Sequence, residues 1–222
     1  MTKKVMSFAL AIALCLSLST TVLATNNPST DFSPNVTVVN LSNNLPDQEL
    51  QEIVDSTVAY IKQDDGTIAP VSSTITVEDI PVTNRSRNTT SVENAYKVTI
   101  NATLSEDDND KNVTNSKDKN SSAARATATL TIVWTDNLGP ENEFKEVSGS
   151  LRVDKGTVES AELRYGDSLV SALKWRTVDV TGRDEFAYYP NWTTPCPVAD
   201  YSIKFEGDGV TLYVHVSSSI FQ

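Results

Sequence analysis

Cys196 and His215 are the residues whose types best suit nucleophilic chemistry, because an imidazole that takes a thiol's proton leaves a reactive thiolate. His215 is the one histidine of the chain, and Cys15 is the second of its two cysteines. Their settings argue against a Cys–His dyad. Cys196 stands between Pro195 and Pro197, and His215 falls on the polar face of a strand whose neighbours Val214 and Val216 point inward. They read as an incidental thiol and a surface histidine, and the sequence singles out no catalytic residue. One histidine also disfavours zinc, which takes several Cys or His ligands. Carboxylates for calcium cluster at Asp107, Asp108 and Asp110, and at Asp64 and Asp65. Neither run matches a calcium-loop pattern with its glycine and terminal glutamate at set positions, so both read as solvated acidic loops, and no metal or cofactor is expected. Carboxylates are numerous enough for a glycosidase-like pair, with nothing in their spacing to select one. A Gly-x-Ser-x-Gly elbow, a phosphate-cradling glycine loop and a dinucleotide fingerprint are all missing from the sequence.

For binding rather than catalysis, the most suggestive stretch is Phe186 to Trp192, where Tyr188, Tyr189 and Trp192 gather around Pro190. Exposed aromatics on a β scaffold stack on sugar rings or anchor a protein partner. These three are the candidate ligand-binding residues, with Trp134 and Trp175 joining them if they project from the same face. The competing expectation is that the rings fill a core.

The elements that must position these residues are mostly strands. Tyr96, Val98, Ile100, Ala102 and Leu104 alternate with polar residues, as do Ala124, Ala126, Ala128, Leu130, Ile132 and Trp134. Phe144 to Val153 follows a turn at 137–140, and Gly156 marks a reversal into Val158 to Tyr165. The strongest hairpin signal is Tyr201, Ile203 and Phe205, then Glu206-Gly207-Asp208-Gly209, then Val210, Leu212, Val214 and Val216. One amphipathic helix is predicted over about residues 46–60, from Leu50, Ile53, Val54, Val58 and Ile61, with Asn44 as its cap. The fold class expected is mainly β: an antiparallel β-sandwich or barrel-like meander with one N-terminal helix.

The first residues set where this domain works. Lys3 and Lys4 precede an apolar run from Val5 to Leu16 broken only by Ser7, and Val22-Leu23-Ala24 supplies a small-residue cut. Residues 1–24 therefore read as a cleavable signal peptide, cut between Ala24 and Thr25. A lipoprotein cut at Cys15 needs a small residue before it, and Leu14 stands there. With no later apolar span, a secreted product without a membrane anchor is expected. Once the signal is removed only Cys196 is left, so no intrachain disulfide is expected.

Removing 24 of the 222 residues leaves 198: a flexible segment at 25–44 and one β-rich domain at 45–222 with a flexible polar loop at 105–122. The net charge is −11, and the loss of Lys3 and Lys4 takes it to −13, which disfavours nucleic acid and anionic membranes. In general layout the chain resembles small secreted β proteins of Gram-positive bacteria, a likeness of sequence style that carries no site. In that setting the sequons at Asn35, Asn88, Asn101 and Asn191 are compositional; in a eukaryotic route they would accept glycans. The expected function is a secreted noncatalytic binding domain whose partner is a cell-envelope glycan or a protein. The alternatives are a secreted hydrolase using a carboxylate pair, and a secreted effector or toxin.

Overall fold

The structure is a computed structural model that describes residues 35–80, 94–105, 124–136, 142–167, 175–207 and 209–218. The signal peptide with its cut at Ala24–Thr25, all but the first residue of the 105–122 loop with its Asp107, Asp108 and Asp110, and the turn at 137–140 lie outside these residues.

Alternating sequences can bury one face and wet the other, and two such sheets stack to cover each other's apolar side. One sheet runs in the order β1 (Val36–Leu41), β4 (Ser72–Ile80), β5 (Asn94–Leu104), β6 (Arg125–Asp136), β7 (Asn142–Lys155) and β10 (Glu185–Tyr188), with β11 (Trp192–Thr194) also paired to β7. The other runs β3 (Ile68–Pro70), β2 (Val58–Gln63), β13 (Val210–Ser217), β12 (Pro197–Phe205), β8 (Val158–Asp167) and β9 (Trp175–Asp179). Every pairing is antiparallel except β1 with β4, which is parallel.

The predicted inward residues form the core. Val98, Ile100, Leu130 and Ile132 of the first sheet are fully buried, as are Leu163, Tyr201, Ile203 and Leu212 of the second. Phe186 and Tyr201 meet edge to face at 5.1 Å, joining β10 of one sheet to β12 of the other. Each such aliphatic side chain contributes about 1.5–3 kcal/mol, so the core outweighs any surface ion pair in holding the sheets together.

The helix is shorter than its periodicity suggests. Helix α1 spans Asp47–Ser56, and Thr57 is already extended at φ −95°, ψ 114°. Val58 and Ile61, counted on the helical stripe, belong instead to β2, where Ala59 and Ile61 point into the core and Val58 and Lys62 point out. Spacings of three or four and of two both fit this run, and pairing with β13 decides for the strand. Asn44 does not cap the helix either: Pro46 stands at the cap, and the Asn44 amide donates to Asp79 at 3.0 Å. Asp79 also accepts from the Ser42 hydroxyl and the Asn43 backbone N–H, which ties the segment after β1 to the end of β4. No described helix is long and apolar enough to cross a membrane.

Candidate functional site

The side of β12 that faces away from the core carries Asp200, Ser202 and Lys204, between the inward-facing Ala199, Tyr201, Ile203 and Phe205. Residues directly opposite in an antiparallel ladder share a face. Asp200 lies opposite His215 of β13 on one side and Arg164 of β8 on the other. One row along, Ser202 lies opposite Tyr213 and Glu162, and Tyr213 lies opposite Tyr60 of β2. Four neighbouring strands thus hold two rows of aromatic, hydroxyl and charged groups on the outer face of the six-stranded sheet.

These groups are partly ordered by one another. The Tyr60 and Tyr213 rings stack at 5.1 Å with 15° between their planes. His215 Nδ1 and Asp200 Oδ1 are 2.6 Å apart; a carboxylate only accepts, so the imidazole donates from Nδ1. The Arg164 guanidinium carbon sits 4.7 Å from the Trp175 ring centroid, a cation–π contact on the same face. Burial raises the pKa of Tyr60, and the neighbouring Tyr213 and Asp200 raise it further, so its phenol stays a neutral donor. A concavity of about 530 Å³ opens over Tyr60, Tyr213, His215, Asp200, Arg164 and Glu162.

Such a face can stack rings and hydrogen-bond hydroxyls. Among the described residues no group of three or more His, Cys, Asp or Glu side chains comes together to hold a metal ion. Asp65, one of the residues weighed for calcium, instead accepts the Thr67 backbone N–H at 2.8 Å, a bond that lowers its pKa. Cys196 is buried with its sulfur 3.5 Å from the Ser217 hydroxyl, while the His215 Nδ1 is turned to Asp200.

Tyr188, Tyr189 and Trp192 are placed very differently from one another. Tyr188 and Trp192 each stack on Tyr165 of β8, both at 5.9 Å, and both pack against the core cluster. Phe144 meets Trp192 edge on at 6.3 Å, and Arg176 lies 5.1 Å over the Trp192 ring. The Trp192 indole Nε1 is buried with no hydrogen-bond partner among the described residues. Tyr189 is 65% exposed. The segment therefore clasps Tyr165 across the two sheets and leaves Tyr189 as its outward ring. Trp134 and Trp175 do not join them: Trp134 is buried 5.7 Å from Tyr96, and Trp175 lies on the outer face of the second sheet beside Arg164.

Tyr60, Tyr213, Asp200, Glu162 and Arg164 are absent from the sequence-based candidates. The available signal was aromatic residues at polar-face positions, Tyr60 between Ala59 and Ile61 and Tyr213 between Leu212 and Val214. No family model matches the chain, and neither a curated protein nor a solved structure matches it.

Proposed function

We propose that the chain is a secreted, noncatalytic binding domain of a Gram-positive bacterium, and that its ligand is an extracellular glycan held on the outer face of the six-stranded sheet. Export rests on the pattern of residues 1–24. Binding rests on one observation: Tyr60, Tyr213, Asp200, Ser202 and Glu162 share an open concave face, with the tyrosines stacked and Asp200 held by His215. A sugar presents apolar C–H faces together with hydroxyls that both donate and accept, so it needs aromatic and hydrogen-bonding groups side by side. Tyr189 remains a secondary contact in this proposal, while Tyr188 and Trp192 are engaged with Tyr165.

A glycan array probed with residues 25–222 tests the reading. Tyr213→Ala or Asp200→Ala is expected to weaken capture by about tenfold, the equivalent of ~1.4 kcal/mol, with an unchanged circular dichroism spectrum. Capture that survives both changes but is lost with Tyr189→Ala would move the site to the 186–192 segment. Binding to envelope proteins with no glycan retained would replace the glycan by a protein partner.

The hydrolase alternative has its own support, because Glu162 and Asp200 line the same concavity. It requires release of new reducing ends from a polysaccharide, abolished by Glu162→Gln. Binding without such release argues against it.

A further inference from the structure

We infer, on the reading that this face binds a glycan, that the ligand is an extended, uncharged chain lying across the strands, from the Tyr60–Tyr213 pair to a Trp175 platform braced by Arg164.

Direction and length come from the ladder. The tyrosines stand on β2 and β13, Ser202 and Asp200 on β12, Glu162 and Arg164 on β8, and Trp175 on β9, which are consecutive strands of one sheet. Four steps between strands cover about 19 Å at ~4.8 Å each, and the offset from Glu162 to Gly166 along β8 lengthens the diagonal further, so the span exceeds one sugar ring. Aromatic surface sits at the two ends and hydrogen-bonding groups between them. The tyrosine row continues through Ser202 and Glu162 to Asp179, while Trp175 is level with Gly166 further along β8, so a chain along the strands leaves Trp175 unused and one crossing them on the diagonal meets both aromatic ends.

The charge class follows from how the ionic groups alternate. Asp200 lies between His215 and Arg164, so the middle of the face presents no cluster of one sign for an ionic sugar to neutralise. The whole chain carries −11, which repels a polyanion before contact. Arg164 is already engaged above the Trp175 ring, where it steadies that ring and still has N–H donors for neutral ligand oxygens. Trp175 is only half-buried, so the platform is reachable.

Isothermal titration of the mature chain with neutral glucan, xylan and N-acetylglucosamine oligomers of one to six units, and with a polyuronate of matching length, tests the inference. Affinity for one neutral series should rise by about tenfold from the disaccharide to the tetrasaccharide and then level off. Trp175→Ala should erase that rise while leaving disaccharide affinity within about twofold, Trp175→Phe should restore part of it, and Tyr213→Ala should weaken every length. Circular dichroism confirms that each variant is folded, and Trp175→Phe carries the comparison if Trp175→Ala is not. Tyr213-dependent binding with no gain beyond the disaccharide would overturn the extended chain and leave the glycan reading standing. Preference for the polyuronate would overturn the uncharged class. Absence of binding to every glycan overturns both.

Discussion

Tyr201 shows how a single hydroxyl can set the pH range of the fold. It is fully buried on β12 between the sheets, and its hydroxyl has no hydrogen-bond partner among the described residues. Burial pushes its pKa from 10.0 up to about 12, because the phenolate would lose its hydration. The folded chain thus holds this proton more tightly than the unfolded chain. The resulting stability is fully present below pH 10 and is lost as pH rises towards 12. Tyr201→Phe should remove that dependence: in urea unfolding, the native chain should lose about 1 kcal/mol more than the variant between pH 9 and 11. At neutral pH the variant should gain about 1 kcal/mol, since an unpaired buried hydroxyl is removed. Equal alkaline losses in both proteins would contradict the assignment. At this scale the sequence showed which face Tyr201 and His215 occupy, since both follow the alternation of their strands. It could not show that Asp200 is the partner of His215, because that depends on the register of β12 against β13.

Elements are decided by competition between local preference and pairing, and the end of α1 is the clearest instance. Leu50, Ile53 and Val54 make a helical stripe, but Val58, Tyr60 and Ile61, which follow, are β-branched or aromatic, and their segment finds a partner strand in β13. The helix therefore yields at Thr57. A second competition concerns Gly149 of β7, which lies opposite Leu130 of β6 and Phe186 of β10. A Cβ built there would stand 2.5 Å from the Phe186 ring and 2.6 Å from the Thr129 carbonyl oxygen, so the aromatic ring covers the glycine at van der Waals distance. Gly149→Ala should cost about 2 kcal/mol in urea unfolding, within the usual range for overpacking. Adding Phe186→Leu should not restore full stability, because the Thr129 carbonyl belongs to the backbone and cannot swing aside. A neutral Gly149→Ala would show that β7 and β10 shift more freely than this packing implies.

At the scale of the whole molecule, the two sheets share one core. Ile61, Leu163, Tyr201 and Leu212 from one sheet belong to the same buried cluster as Val98, Leu130, Phe144 and Phe186 from the other. The Tyr165 clasp by Tyr188 and Trp192 adds a cross-sheet link at the side of that core. Neither sheet can open without exposing the apolar face of its neighbour, so unfolding should be cooperative. Tryptophan fluorescence and far-ultraviolet circular dichroism are expected to trace the same single urea transition. Two separated transitions would mean that the sheets unfold independently. The outer faces follow different chemistry: that of the seven-stranded sheet carries a row of Thr76, Thr99, Thr131 and Ser148, with the Thr99 and Thr131 hydroxyls 2.9 Å apart. That face also holds the Lys97–Glu78 ion pair at 3.2 Å, but the stacked tyrosines and the concavity lie on the other sheet, which is why the candidate site falls on that one face.

The sequence alone determined that this protein is built from two-faced strands, that the chain reverses at Gly156 and Gly207, and which residues of β5, β6, β12 and β13 turn inward. Those properties depend on the chemistry of residues one to four places apart. Tertiary structure decided the strand order, the parallel seat of β1 on β4, the early end of α1, the stacking of half-buried Tyr188 and Trp192 on Tyr165, and the meeting of Tyr60, Tyr213, Asp200 and Arg164. The last group comes together only because β2, β8, β12 and β13 become neighbours in one register. Alternation says which side of a strand a residue faces, but a shared site also requires knowing which strands lie beside it.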